Sequence, residues 1–126
     1  MSVRGIGVDI CRAERIAESL KRFGERMEKR LFTADELAYC RGHKDPLPHL
    51  ASRFAAKEAA SKALGTGIAA GIGWTQIEVV QPGGRVPTLR FTGAALERLG
   101  AIGATRSHLT LSHDAGLAVA CVVLED

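Results

Sequence analysis

The sequence predicts an α+β fold in which an antiparallel sheet packs against a long helix. Three observations point there. Apolar runs rich in Val, Ile and Leu sit near both ends of the chain, at 3–10 and 117–125. An alanine-rich stretch at 46–64 has the composition of a helix that packs closely. Two turn signals, Gln81-Pro82-Gly83-Gly84-Arg85 and Asp114-Ala115-Gly116, join strand-like segments as hairpins, which makes their neighbours antiparallel. With 126 residues, 46% of them hydrophobic, the chain has the size of one domain spanning 1–126.

Each element has its own signal. Val3 to Ile10 reads as the first strand; its glycines weaken the alternation and suggest a central or closely approached strand. Arg12 to about Arg30 reads as a helix, with Ile16, Leu20, Phe23 and Met27 recurring every three or four residues as one apolar stripe. Arg12, Arg15, Arg22 and Arg26 fall on a neighbouring face. In the segment from Leu31 to Arg41, Thr33 followed by Glu36 is a capping box for a short helix. Asp45 and Pro46 are placed to start the next helix, which runs to Leu64 and stops at Gly65-Thr66-Gly67. Trp74–Val80 and Val86–Phe91 form a hairpin around the Pro-Gly-Gly turn. Gly93 to Leu99 is a further, modest helix. His108–His113 and Leu117–Glu125 are the closing strands.

Composition narrows the function. The net charge is +3, and residues 1–63 hold 13 Lys/Arg against 9 Asp/Glu, whereas residues 64–126 hold 4 against 5. A localised basic excess suits an acidic ligand or protein better than a nucleic acid. There is no long basic tract, so no nucleic-acid partner is expected. Cys11, Cys40 and Cys121 are widely spaced and odd in number, as in a reducing, cytoplasmic compartment. No apolar run is long enough to span a bilayer and no signal-peptide pattern opens the chain, so no membrane association is expected.

Two places carry the chemistry. Asp9 interrupts the apolar run Ile6, Val8, Ile10, and a carboxylate inside a strand is costly to bury unless paired or metal-bound. It would alternatively mark the strand end and cap the following helix. Glu58 and Lys62 are spaced i,i+4 and share a helix face, either as a surface salt bridge or as a functional pair beside Phe54, Ala55, Ala59 and Ala63. Together Asp9 and Glu58 offer hard oxygen ligands to Mg²⁺, and Lys62 a positive charge for a phosphoryl group. His113 follows Ser112, but neighbours on a strand point to opposite faces, so the two do not make a hydrolytic pair; His113 is a ligand contact or a structural histidine. His43 and His49 have no zinc spacing with any cysteine. Residues 12–30 hold seven Lys/Arg against four Asp/Glu, a surface that is either simply solvated or attractive to an acidic helical protein. On residues alone, a magnesium-dependent pyrophosphate hydrolase and a non-catalytic docking module both remain open.

Three blocks resemble the small type of 4'-phosphopantetheinyl transferase, the holo-[acyl-carrier-protein] synthase family. They are Gly5-Ile6-Gly7-Val8-Asp9-Ile10, the run from Arg53 to Gly67, and Leu111-Ser112-His113-Asp114. They occur in the family's order and at its spacing, and the likeness covers essentially the whole chain. The resemblance implies transfer of the phosphopantetheine arm of coenzyme A to a serine of an acyl carrier protein, releasing adenosine 3',5'-bisphosphate. It also implies a homotrimer with active sites between subunits. It assigns Asp9 and Glu58 as magnesium ligands, Glu58 as candidate base, directly or through a metal-bound water, and Lys62 beside the pyrophosphate. Arg53 and His113 fall near the nucleotide, Gly65 and its neighbours shape the cofactor cleft, and Arg15 contacts the carrier, with Arg22 and Arg26 as neighbours by helix geometry. Departures are confined to Ser112-His113-Asp114, where many relatives have Thr-His or an acidic residue, and to the spacing between Arg85 and Pro87 in the hairpin.

Overall fold

The first strand, β1 (Val3–Arg12), alternates two unlike faces. Ile6, Val8 and Ile10 point outward and are 58–68% exposed, while Gly7 and Cys11 on the other face are buried. A computed structural model describing residues 1–126 shows what covers that inner face. It is α3 (Leu47–Ala63), whose Ala51, Ala55, Ala56, Ala59, Ala60 and Ala63 are all buried. Side chains this small let the helix backbone descend onto the strand. An ideal Cβ on Gly5 would stand 2.0 Å from the Ala63 carbonyl oxygen, and one on Gly7 would stand 1.9 Å from that of Ala59. The two glycines are therefore a steric requirement of the β1–α3 contact.

Between these elements lie α1 (Ala13–Leu31) and α2 (Ala34–Arg41). The capping box opens α2 as expected: Glu36 N–H donates to Thr33 Oγ1 at 3.2 Å, and Thr33 N–H donates to Glu36 Oε1 at 2.8 Å. After α3 come β2 (Ile77–Val80), β3 (Thr88–Phe91), α4 (Gly93–Ala101), β4 (Arg106–Asp114) and β5 (Leu117–Glu125). Every strand pair is antiparallel. One sheet has the order β1-β5-β4 and the other is the β2-β3 hairpin. The expected α+β fold, with an antiparallel sheet against a long helix, is what the chain adopts. A continuous core of 26 buried apolar residues runs between α3 and the sheets. No helix is long and apolar enough to cross a membrane.

Four local expectations need correction. β1 extends to Arg12; of the two readings of its glycines the close approach holds and the central position does not, since β1 is an edge strand approached by a helix backbone. The first helix is interrupted at Gly24, whose φ of 66° and ψ of −151° are not helical. Ile16 is buried, and Leu20 and Met27 pack against the core on either side of the break, but Phe23, just before it, is 53% exposed. The β2–β3 hairpin is shorter than the sequence suggests, because Trp74–Gln76 forms a 3-10 turn ahead of β2 and β3 starts only at Thr88. The closing hairpin is longer, reaching from Arg106, with Ala115 and Gly116 both at positive φ in its tight turn.

Replacing Gly7 by Ala should cost about 3 kcal/mol of stability, since the added methyl meets helix backbone that cannot rotate away. Denaturant unfolding of the variant measures this, and an unchanged midpoint would mean that the β1–α3 contact is not tight.

Candidate active site

β1 and α3 meet along one margin, and the acidic and basic groups gather there. Alternation along the strand places Asp9 on the same face as Gly5, Gly7 and Cys11, towards α3. On α3, Lys62 lies one turn beyond Glu58. Lys62 Nζ donates to Asp9 Oδ1 at 2.9 Å and to the Val8 carbonyl at 3.3 Å. The ion pair sits at the edge of solvent, with the Asp9 side chain 17% exposed and that of Lys62 53%. Lys62 therefore reaches across to β1 instead of pairing with Glu58 along its own helix. Asp9 does not cap α1 either, because Arg12 holds the N-cap position and makes no side-chain capping bond. Neither the Glu58–Lys62 salt bridge nor the Asp9 cap forms; Lys62 pairs with Asp9 instead.

Electrostatics join Glu58 to the pair. Burial raises its carboxyl above the usual range, the Asp9 charge raises it further, and Lys62 and Arg15 oppose the shift. The Cys11 thiol is raised by burial and by the same two carboxylates, and lowered by Arg15. Asp9, Glu58, Lys62, Arg15 and Cys11 thus form one electrostatic cluster. The Asp9 hydrogen bond and charge push the Lys62 ammonium upward, so it stays protonated at neutral pH.

A pair of carboxylates suits a hard cation. Asp9 acts on Glu58 across this margin, and no group of three or more His, Cys, Asp or Glu is arranged to hold a metal. A structural zinc site would need four protein ligands. Magnesium is commonly bound through one or two carboxylates, keeping several waters and taking phosphate oxygens for the rest. Burial first, and the Asp9 charge second, disfavour the ionised Glu58, and a bound cation would offset both.

A second group lies elsewhere. Arg53 is 2% exposed, its guanidinium carbon 4.0 Å from the Tyr39 ring centroid and its Nη2 donating to Gln81 Oε1 at 2.9 Å. Its Nε has no partner. His113 stands at the end of β4, its ring centroid 6.0 Å from that of His49, which stacks on His43 at 3.7 Å. Burial and the neighbouring His43, Arg53 and His113 hold His49 below its ordinary value. Arg53 and His113 line one groove of about 260 Å³ with Tyr39, His49 and Gln81. Within one chain this groove is separate from the Asp9 cluster: β5 lies between β4, which bears His113, and β1, which bears Asp9. Gly65 ends α3 at a φ of 82° beside Arg98, whose Nε donates to the Leu64 carbonyl at 2.9 Å.

The arginines of α1 are exposed and line two adjoining grooves. Arg15 lines a groove of about 250 Å³ with Ile16, Met27, Phe54 and Trp74. Arg22 and Arg26 line a neighbouring one with Phe23, and Met27 and Arg30 belong to both. One basic, partly apolar surface results, adjacent to Glu58 through Arg15.

One feature escaped sequence reasoning. Lys57 and Glu36 form an ion pair, Nζ to Oε1 at 2.7 Å, with both side chains wholly buried. Arg53, Lys57 and Ser61, four residues apart, make a buried polar line on α3. That spacing was visible, yet a polar line at helical period ordinarily marks the solvent side. Glu36 was accounted for by its capping role, which concealed its second one.

Comparison with known proteins identifies the family. A holo-[acyl-carrier-protein] synthase of Koribacter versatilis (strain Ellin345) is 46% identical over 125 residues, covering 98% of this chain and 99% of the relative. The crystal structure of holo-[acyl-carrier-protein] synthase from Neisseria meningitidis superposes with a TM-score of 0.88 at 35% identity, covering 99% and 100% of the two chains. That of the Helicobacter pylori synthase in complex with coenzyme A gives 0.83 at 31% identity, covering 95% and 99%. Residues 5–121, which hold both Asp9 and the whole of α3, match the profile of the 4'-phosphopantetheinyl transferase superfamily, and to that family this chain belongs.

Proposed function

We propose that this chain transfers the 4'-phosphopantetheine arm of coenzyme A to a serine of an apo acyl carrier protein, releasing adenosine 3',5'-bisphosphate. The observation that carries the reading is the convergence of Asp9, Glu58 and Lys62 from two elements onto one partly buried margin, in a chain of this superfamily. Magnesium, held by Asp9 and Glu58, would supply positive charge to the pyrophosphate oxygens of coenzyme A.

The chain's own groups do the rest. The carrier serine oxygen forms a bond to the phosphorus that bears the pantetheine arm. The bond from that phosphorus to the bridging oxygen breaks, and its electron pair leaves with the nucleotide. Glu58 is the candidate base for the serine proton, since a carboxyl raised by burial is closer in affinity to the proton it must take. Lys62, protonated and half exposed, faces the charge that builds on the departing phosphate. Arg53, His113 and the backbone at Gly65 are assigned to the nucleotide. Arg15, Arg22 and Arg26 are assigned to the carrier, whose acidic helix would meet the basic surface of α1.

The separation of the two groups within one chain favours a homotrimer in which neighbouring subunits complete each site. Val3, Ile6, Val8 and Ile10, exposed along edge strand β1, give such an assembly apolar surface to bury. Three free cysteines suit a reducing compartment, so we place the reaction in the cytoplasm, with neither membrane nor nucleic acid as partner.

Incubating the protein with coenzyme A, magnesium and an apo carrier should add the mass of phosphopantetheine to the carrier, and chelation should abolish the gain. Release of adenosine 3',5'-bisphosphate without any carrier would indicate a hydrolase instead. Glu58→Gln should lower transfer at least 100-fold, the scale expected when an acid–base group is lost. The same substitution should raise the melting temperature of chelator-treated protein at pH 7. Because the folded-state Glu58 is raised, its charge opposes folding above that value, and the gain should fade as pH falls through the carboxylate range. A lower melting temperature at pH 7 would contradict the assigned burial. Arg15→Glu should raise the carrier KM about 10-fold while the coenzyme A KM stays put; equal changes in both would remove Arg15 from docking. Sedimentation should give three times the chain mass, and a monomer that remains fully active would exclude shared sites.

A further inference from the structure

The buried Lys57 makes no contact with the groups of the proposed reaction, yet it is the most completely satisfied cation in the chain. An ammonium has three protons to donate, and each has an acceptor from a different segment. They are Glu36 Oε1 at 2.7 Å on α2, the Ile77 carbonyl at 2.7 Å on β2, and the Trp74 carbonyl at 3.1 Å in the 3-10 turn. Glu36 is itself immobilised, accepting from Thr33 N–H at 2.8 Å and from Val79 N–H at 2.9 Å. Burial lowers the Lys57 ammonium and Glu36 opposes that shift. An ion pair taken fully out of water recovers little net stability compared with well-packed apolar residues of similar size. What it adds here is direction, because each of the three bonds loses strength if α3 turns about its axis.

The opposite side of α3 rests on the glycines of β1, a contact that resists approach, and its directional bonds come only from Lys62, a long, half-exposed side chain that belongs to the site being positioned. Glu58 follows Lys57 directly and projects about 100° around the helix from it. A roll of about 10° would carry a carboxylate at the helix rim, about 6 Å from the axis, through about 1 Å. Misplacement on that scale can cost about 100-fold in rate. We infer that Lys57 is a positioning residue: its three-point anchorage to Glu36, Trp74 and Ile77 fixes the roll of α3 and so sets Glu58 and Lys62 opposite Asp9. The inference rests on the transferase reading for its kinetic consequence, but the anchorage itself is independent of it.

The test is the double variant Lys57→Met with Glu36→Leu, which leaves no stranded charge, alongside Glu36→Gln, whose one oxygen can still face Lys57 and Thr33 N–H but which removes the charge and the acceptor of Val79 N–H. The double variant should melt below the parent, because Thr33 N–H, Val79 N–H and the Trp74 and Ile77 carbonyls lose their partners, yet stay folded at the assay temperature with kcat at least 10-fold lower and the carrier KM within about twofold. Glu36→Gln should retain kcat within about threefold. A folded double variant with parental kcat would overturn the proposal, as would a Glu36→Gln protein that loses kcat 10-fold. If the double variant does not fold, Glu36→Gln decides alone on the same criterion. Trp74 is the chain's single tryptophan and its carbonyl is one of the three anchors, so its fluorescence reads the anchorage without any turnover. The emission maximum should shift in the double variant and not in Glu36→Gln; an unshifted double variant counts against the anchorage. A parent protein that transfers nothing would defeat the functional reading, while this fluorescence comparison would still decide the anchorage.

Discussion

The rest of the structure depends on how closely α3 lies against β1. Carbonyl oxygens of Ala59 and Ala63 occupy the space that side chains on Gly7 and Gly5 would fill. Contact at that range is possible only when the strand offers glycine and the helix offers alanine. Its consequence reaches the chemistry directly. Asp9, two residues beyond Gly7 on the same face, is brought within a hydrogen bond of a lysine 53 positions away. A helix held off by larger side chains would leave Asp9 and Glu58 as two unrelated surface carboxylates.

Charge then works against packing within a small volume. Partial burial raises the Glu58 carboxyl, and the Asp9 charge on the same margin raises it further. Lys62 compensates Asp9 and leaves Glu58 less well matched. Such frustration is common where a site is built for a ligand that brings the missing charge. A divalent cation with a pyrophosphate supplies both signs, positive to the carboxylates and negative to Lys62. On the far side of α3 the logic is inverted. There, Lys57 and Glu36 are wholly buried and wholly satisfied, a closed network with nothing left for a ligand.

Much of this was legible in the sequence, for identifiable reasons. The capping box at Thr33–Glu36, the stop at Gly65 and the two hairpin turns rest on interactions among residues within a few positions of one another, so local spacing suffices to find them. Asp9, Glu58 and Lys62 were visible because acidic and basic groups stand out in apolar or alanine-rich runs. The break at Gly24 was not legible, since an arginine-rich helix with a good apolar stripe reads straight through it. The buried pair of Lys57 and Glu36 was hidden because its partners are 21 positions apart, and each already had an ordinary local explanation.

By itself the sequence determined the types of element, their order, and which side chains had chemistry to offer, because helical and strand periods, caps and turns are properties of neighbouring residues. Tertiary structure alone decided the pairings. It chose Asp9 over Glu58 as the partner of Lys62, left β1 with one apolar face uncovered, and set Arg53 and His113 apart from the carboxylates. These outcomes turn on which surfaces can approach through space, and distance through space is fixed by packing of the whole chain.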